Sequence, residues 1–253
     1  MAPLPALIIV MGASGCGKST VGLGIAQAYG VPFVDGDDLH PAANVAKMSA
    51  GNPLNDEDRI PWLHKIRETA ILLTTSDGLA ALDRDPAPLS PSEADSAATS
   101  HELAAALQHI APASLSARRE RKDAPRAREA CVIACSALKG SYRALLRGEE
   151  ARFALPDGRE IVSEKQGTPL LETYFVYLAG TRTLLLNRMQ ARAGHFMKAS
   201  MLDSQLATLE PPSEAGEPGV AVVNLGQGPE EVEERGKEAV IGEAVEKSRK
   251  WLA

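Results

Sequence analysis

Short apolar runs recur along the chain, and polar stretches separate them. Residues 7–11 read L-I-I-V-M and stop at Gly12, a continuous apolar run typical of a strand that is buried on both faces of a parallel sheet. Four later runs have the same character and predict four more strands. These runs cover residues 31–34, 131–135, 174–178 and 220–225.

Between the apolar runs, the spacing of apolar side chains becomes helical. Residues 18–29 follow this spacing and stop at Gly30, a residue that favours the C-terminal end of a helix. The same pattern predicts helices over residues 61–73 and 229–252. Because strands alternate with helices, we expect a doubly wound α/β fold, a parallel sheet with helices on both faces, formed by residues 1–253 as one domain.

One segment, residues 76–128, departs from this alternation. It is rich in Ala, Pro, Ser and Asp, becomes basic over residues 118–128, and interrupts a connection that is normally short. Residues 101–110 predict a helix within it. This composition favours a surface insertion that is partly disordered, with a regulatory or partner-binding role as the alternative.

Composition excludes several classes of protein. The net charge is −6 and basic residues are scattered among acidic ones, so we expect no binding to nucleic acid. No run of eighteen apolar residues is present, which argues against a membrane span, and the apolar N-terminus lacks the basic region of a signal peptide. Three cysteines are too few for a disulfide framework, so we expect reduced thiols and a cytoplasmic location.

The first strand runs into a pattern that carries chemistry. Residues 12–19 read G-A-S-G-C-G-K-S and satisfy G-x-x-x-x-G-K-[ST], between a predicted strand and a predicted helix. Glycines allow backbone N–H groups to converge on phosphate oxygens, Lys18 would bridge the β- and γ-phosphates of ATP, and the Ser19 hydroxyl would bind Mg²⁺. The predicted nucleotide-binding residues are Gly12, Ser14, Gly15, Cys16, Gly17, Lys18, Ser19 and Thr20.

The rest of the sequence narrows the class of P-loop protein. The guanine-reading N-K-x-D and D-x-x-G patterns of GTPases are missing, and the chain is too short for the usual motor or transporter ATPases. A compact fold of the nucleoside-monophosphate-kinase type, with a helical lid, remains. The second strand delivers the acidic run of residues 35–38 at its carboxyl end, where ligands of open α/β sheets gather. Carboxylates there can hold Mg²⁺ through water or accept a proton from a hydroxyl.

Four motifs, in order along the chain, resemble the signature of the gluconokinases. They are D-G-D-D-L-H-P-A-A-N-V-A-K-M-S-A-G-N-P-L-N-D-E-D-R-I-P-W-L at 35–63, A-C-S-A-L-K-G-S-Y-R at 134–143, R-M-Q-A-R-A-G-H-F-M at 188–197 and S-Q-L-A-T-L-E-P-P at 204–212. The resemblance implies phosphorylation of gluconate by ATP, giving 6-phosphogluconate. It also implies a lid and substrate segment over residues 187–212, and relatives of this kind are often homodimers.

The resemblance further implies roles for single residues on the acceptor side. Asp37 matches the acidic position that contacts acceptor hydroxyls in the related shikimate kinases, so it is the expected base, and Asp35 would assist Mg²⁺ through water. Arg59 suits the gluconate carboxylate, because a guanidinium pairs with a carboxylate through two hydrogen bonds. Ser136 would bind a substrate hydroxyl. Lys139 would contact substrate or phosphate, or else lie in solvent.

In the lid segment, the resemblance implies that arginines close over the triphosphate. Arg188 and Arg192 lie four residues apart on a predicted helix, hence on one face, and Arg192 is the expected catalytic arginine. His195 and Gln205 are expected to contact the substrate. Two residues of the first motif, His40 and Trp62, are expected to serve as scaffold for the substrate loop.

Two departures from the compact pattern of the family leave the motifs intact. One is the insertion at 76–128; the other is the stretch 149–170, in which P-D-G at 156–158 predicts a small hairpin near the lid.

Two alternative functions stay open at this point. One is a kinase of the same fold that acts on shikimate or another sugar acid. The other is a nucleotide-binding regulator without catalysis, whose basic insertion recruits a partner.

Overall fold

The centre of the molecule is a five-stranded parallel sheet. A computed structural model describes residues 3–82, 103–120, 128–155, 157–167, 169–191, 199–227 and 233–252. The strands of the sheet are β1 (Ala6–Met11), β2 (Phe33–Asp35), β3 (Ala130–Ala134), β6 (Glu172–Ala179) and β7 (Val220–Asn224). Their spatial order is β2-β3-β1-β6-β7, so the predicted parallel sheet is confirmed.

Nine labelled helices accompany the sheet in the described part of the chain. They are α1 (Lys18–Tyr29), α2 (Ala42–Ser49), α3 (Asp56–Thr74), α4 (Ser76–Leu82), α5 (Pro112–Glu120), α6 (Gly140–Arg147), α7 (Arg182–Ala191), α8 (Ala199–Thr208) and α9 (Lys237–Leu252). Residues 103–107 are also helical. A 3₁₀ turn, Gly36–Leu39, follows β2. None of the helices that the structure describes is long and apolar enough to cross a membrane.

The sheet is covered on both faces, as the continuous apolar strands predict. Alternate residues of β1 point to opposite sides, so Leu7 and Ile9 join one buried cluster while Ile8 and Val10 join the other. The first cluster includes side chains of α3 and α6, and the second includes side chains of α1 and α9. The carboxyl ends of β1, β2 and β3 therefore meet at one edge of the sheet, between these helical layers.

Two predicted helix boundaries were wrong. Helix α3 begins at Asp56 rather than at residue 61, because Asn55 and Asp58 form a capping box, with Asp58 N–H donating to Asn55 Oδ1 at 3.0 Å and Asn55 N–H to Asp58 Oδ2 at 2.8 Å. The first turn is polar, so apolar spacing could not find it. Helix α9 begins at Lys237 rather than at residue 229, because Glu233–Glu234 instead pairs as β9 with β8 (Gly226–Gln227).

The predicted insertion at 76–128 contributes more to the core than a surface segment would. Its described parts, 76–82 and 103–120, are largely helical, and Ile110 and Ser114 are buried. Phe33 N–H donates to Ser114 Oγ at 3.1 Å, and Ala111 N–H donates to the Phe33 carbonyl at 2.9 Å. These bonds cover the free edge of β2, which would otherwise leave unpaired backbone groups. Residues 83–102 and 121–127 lie outside the described part, so their disorder stays a prediction.

The stretch before β6 contains the predicted hairpin. Strands β4 (Ala151–Ala154) and β5 (Glu160–Ser163) pair antiparallel, and Gly158 takes a positive φ of 84° at the turn. The hairpin packs on α6 and reaches α3 through an ion pair of 3.1 Å between Arg159 and Glu57.

Candidate active site

The loop between β1 and α1 has the conformation of a phosphate-binding loop. Gly12, Gly15 and Gly17 take φ angles of 139°, 85° and 91°, which L-residues with side chains rarely adopt. A Cβ atom at Gly12 would lie 2.9 Å from the carbonyl oxygen of Leu178, and one at Gly15 would lie 2.8 Å from that of Leu185. Conformation therefore favours glycine at all three positions, and space also requires it at Gly12 and Gly15. The loop leads into the N-terminus of α1, where backbone N–H groups and the helix dipole favour an anion.

Lys18 and Ser19 lie where the sequence pattern predicts. Lys18 Nζ donates to the carbonyl oxygens of Gly12 and Ala13 at 3.1 and 3.4 Å, so its ammonium group lies over the loop. Ser19 Oγ donates to Asp35 Oδ2 at 2.5 Å, which joins the start of α1 to the end of β2. A hydroxyl and a carboxylate that lie next to each other offer the hard oxygen ligands that Mg²⁺ prefers, and Mg²⁺ keeps several waters and phosphate oxygens as its other ligands.

A cavity of about 450 Å³ lies against the loop and the first turn of α1. Arg188 on α7 crosses it: its Nη1 donates to the Cys16 carbonyl at 3.3 Å and its Nε to Glu234 at 2.8 Å. Sequence analysis assigned Arg188 and Thr20, which both line this cavity, to the nucleotide, but it missed several charged and polar residues of the wall. The lining residues that it missed include Asn187, Glu234 and Lys237. The last two lie beyond Leu225, in a part of the chain without a motif.

A second cavity, of about 510 Å³, lies on the inner side of the loop at the carboxyl edge of the sheet. Six residues that sequence analysis assigned to ATP or the acceptor line it together. They are Ser14, Lys18, Asp37, Arg59, Ser136 and Gln205. These residues come from the phosphate loop, the turn after β2, helix α3, the loop after β3 and helix α8. The fold therefore brings the separate motifs to one place.

Asp37 lies on the wall of this second cavity, at the start of the turn after β2. Its backbone N–H donates to Asp35 Oδ1 at 3.1 Å, which fixes the start of the turn against the end of β2. Neighbouring protein atoms exclude part of the water around the Asp37 carboxyl and raise its pKa above the ordinary value, although the residue as a whole is exposed. The nearby Lys18 opposes this shift, and Asp35 and Asp38 add to it. The carboxyl thus holds a proton more firmly than a solvated aspartate does, as a proton acceptor requires.

Lys139, unlike Asp37, Arg59 and Ser136, does not lie on the wall of the second cavity. Its Nζ donates to both carboxylate oxygens of Asp56 at 2.9 and 2.8 Å. Tyr142 donates its hydroxyl to the same carboxylate and accepts a bond of 3.3 Å from Arg59 Nη1. Burial raises the pKa of the Tyr142 hydroxyl, so this hydroxyl stays protonated. Asp56 and Tyr142 stand inside two of the quoted motifs, yet sequence analysis gave them no role.

Two aromatic rings form another part of the wall. His40 stacks on Trp62 with ring centroids 4.1 Å apart and an angle of 13° between planes, and both residues line the second cavity. The indole N–H of Trp62 donates to the Gly36 carbonyl at 2.7 Å, which ties α3 to the turn after β2. The expected scaffold is therefore present, but it also faces the site.

Helix α8 contacts the phosphate loop through Gln205. Gln205 Oε1 accepts a hydrogen bond of 2.7 Å from Ser14 N–H, so Gln205 lies between the loop and the second cavity. Residues 192–198 lie outside the described part of the chain, so the predicted roles of Arg192 and His195 stay predictions.

The fold and the loop together define a P-loop kinase of the small-molecule type, with a nucleotide side and an acceptor side. Comparison with known families agrees: a shikimate kinase model matches residues 14–65. The sequence is 31% identical to a probable gluconokinase of Schizosaccharomyces pombe, over 92% of this chain and 86% of that protein. It is 30% identical to the thermosensitive gluconokinase of Escherichia coli, over 92% and 86%.

A solved structure gives the same result. A gluconokinase from Sinorhizobium meliloti has a TM-score of 0.54 and 33% identity, and the match covers 97% of this chain and 96% of that one. The chain belongs to the gluconokinase family.

Proposed function

We propose that this protein transfers the γ-phosphate of ATP to gluconate, giving 6-phosphogluconate and ADP. The observation that carries the proposal is the single cavity in which the phosphate-loop residues Ser14 and Lys18 face Asp37 and Arg59. A phosphoryl donor at the loop and a polar acceptor in the cavity would therefore be adjacent. Gluconate matches the cavity chemically, since it has one carboxylate for a guanidinium and several hydroxyls for polar side chains.

The acceptor would bind with its carboxylate at Arg59 and its terminal hydroxyl at Asp37. Arg59 is held from the other side by the hydroxyl of Tyr142, which limits the directions its guanidinium can take. Ser136 and Gln205, on two further walls of the cavity, are suited to hydrogen bonds with the remaining hydroxyls. This orientation would present one end of the sugar acid to the γ-phosphate and supports transfer to that end.

In the proposed step, Asp37 accepts the proton of the hydroxyl as the hydroxyl oxygen forms a bond to the γ-phosphorus. The bond from the γ-phosphorus to the bridging oxygen breaks, and that oxygen leaves with ADP. Lys18 would stabilise the charge on the transferred group, assisted by Arg188 and by Arg192, the predicted catalytic arginine. Mg²⁺, held by Ser19 and through water by Asp35, would supply further neutralisation of phosphate charge.

Several finer features of the proposal rest on sequence alone. We propose that residues 187–212 act as the lid, with His195 contacting the acceptor when the lid closes, and that residues 1–253 are one kinase domain. We also propose a cytoplasmic location, which suits the three buried, unpaired thiols, and assembly as a homodimer.

Transfer to shikimate is the second candidate, since the matched shikimate kinase model covers the loop, Asp37 and Arg59. An ADP-release assay with Mg·ATP and gluconate, shikimate, glucose or no acceptor separates the two candidates. We expect turnover with gluconate alone, and its loss in the Asp37→Asn variant. Turnover with shikimate and not with gluconate would overturn the proposed acceptor. Tight ATP binding without turnover on any acceptor would favour a regulatory protein instead.

A further inference from the structure

We propose that His40 is a substrate-binding residue, whose Nε2–H group donates a hydrogen bond to a hydroxyl of the bound sugar acid. The inference deepens the proposed function and rests on it, since it concerns the acceptor in the second cavity. It assigns His40 a role beyond the scaffold that its sequence motif suggested.

The first step of the argument is the orientation of a neighbouring amide. Asn44 is buried, and its Nδ2 atom lies 2.8 Å from the carbonyl oxygen of Asp58. A carbonyl oxygen can only accept, so the atom facing it must be the amide nitrogen and not the amide oxygen. The orientation of the Asn44 side chain is therefore fixed by a backbone group.

The second step is the tautomer of the histidine. The same Nδ2 atom of Asn44 lies 3.4 Å from His40 Nδ1. Because Nδ2 is a donor, Nδ1 of His40 must be the acceptor, and a neutral imidazole then carries its hydrogen on Nε2. Burial and the positive charge of Arg59 lower the pKa of His40 to about 4, so the ring is neutral at pH 7 and keeps this tautomer.

The third step is the direction of the free ring edge. Trp62 covers one face of the His40 ring, and Asn44 occupies the Nδ1 edge. His40 nevertheless lines the second cavity, and in the described part of the chain no group forms a hydrogen bond with its Nε2. The Nε2–H group is not buried away from water, so it is available to the cavity, where a hydroxyl oxygen of the acceptor can accept its hydrogen bond in place of water.

With a neutral donor at His40 beside the charged Arg59, the two residues would recognise different groups of the acceptor. The guanidinium of Arg59 suits the carboxylate, whereas a neutral N–H adds no further charge and suits a hydroxyl. A site that binds a substrate hydroxyl through a buried group discriminates against analogues that lack the hydroxyl, because the group then has no partner. His40 would in this way select a hydroxylated acid over a simpler one.

Three substitutions test the proposal. His40→Phe keeps a flat ring for Trp62 but removes the donor, and we expect the KM for gluconate to rise about tenfold while the KM for ATP stays within about twofold. His40→Gln can place an amide N–H near the position of Nε2, whereas His40→Asn places it near Nδ1. We therefore expect Gln, and not Asn, to recover most of the affinity for gluconate.

Monodeoxy analogues of gluconate identify the contact. One analogue should lose about tenfold in kcat/KM with the wild-type protein and nothing further with His40→Phe, because the bond is already missing. Equal losses in both proteins for every analogue, or an unchanged KM for gluconate in His40→Phe, would overturn the proposal. Turnover of gluconate by the wild type reports separately on the proposed function. If another acceptor is used instead, the same comparison applies to that acceptor and its deoxy forms.

Discussion

The phosphate loop and the acceptor cavity share Lys18 and Ser14, yet they are built in different ways. The loop is one continuous segment between β1 and α1, and its geometry comes from backbone conformation at three glycines. The cavity is made of side chains from more than five separate segments of the chain. Within the cavity, function depends on neighbours that hold each side chain, as Tyr142 holds Arg59 and Asn44 holds His40.

This difference in construction predicts which property of the protein a substitution in each region will impair. A change in the loop removes a group that we propose contacts the transferred phosphoryl group, so it should impair turnover whatever the acceptor. A change in the cavity should impair use of the acceptor and leave ATP binding intact. A change in a supporting residue should appear first as a loss of stability. The predictions below follow this order.

The largest effect is expected for Lys18→Ala. Because Lys18 is proposed to stabilise charge on the transferred group, we expect kcat to fall by about 10³-fold or more, with gluconate and with any other acceptor that the protein uses. Steady-state ADP release measures the change, and Lys165→Ala, at an exposed lysine of the same charge, is the matched control. A fall in kcat of less than tenfold would contradict the claim that the loop, unlike the cavity, acts on the transferred phosphoryl group.

The second effect concerns the pH dependence of turnover. The pKa of Asp37 is raised, so this carboxyl gains its proton at a higher pH than an ordinary aspartate, and the protonated form cannot accept the proton of the acceptor hydroxyl. We expect kcat/KM for gluconate to fall as pH decreases through that pKa. In Asp37→Asn, kcat should be about 10²-fold lower and this acid limb should be absent.

The titration of ATP itself affects both proteins equally, so the difference between their pH profiles reports on Asp37. An acid limb of the same position and depth in Asp37→Asn would show that another group accepts the proton.

The smallest effect on catalysis is expected for Lys139→Met. Lys139 holds the buried carboxylate of Asp56 through both oxygens and does not line the cavity, so its loss leaves a buried charge with one partner fewer. We expect the free energy of unfolding to fall by about 2 kcal/mol, measured by urea denaturation. The KM for gluconate should change by less than about threefold. A rise of tenfold or more in that KM at unchanged stability would restore the predicted contact between Lys139 and substrate.

Features that are local in sequence could be predicted closely. Helix α1 was predicted at its observed bounds, because apolar spacing and the C-terminal Gly30 lie within one segment. The phosphate loop was recognised for the same reason. On the acceptor side, the motifs supplied Asp37, Arg59 and Ser136, and the parallel sheet made it expected that they meet at its carboxyl edge.

Features that depend on contacts between distant segments could not be predicted. The pairing of Lys139 with Asp56 joins residues 83 positions apart, and no spacing rule connects them. The same is true of the ion pair between Arg188 and Glu234, and of the hydrogen bond from Phe33 N–H to Ser114 at the edge of β2. In each case the role of a polar side chain can be assigned only after the fold shows which distant residue it contacts.

Calorimetric titration of two arginine variants tests the central claim most directly, namely that the two sides of the site bind different substrates. Arg59→Met should weaken gluconate binding at least about tenfold and leave binding of a non-hydrolysable Mg·ATP analogue within about threefold, because Arg59 lines the cavity that we propose binds the acceptor. Arg188→Met should instead weaken binding of the Mg·ATP analogue at least about tenfold and leave binding of gluconate within about threefold. Unchanged gluconate binding in Arg59→Met, or equal loss of both ligands in each variant, would contradict the account.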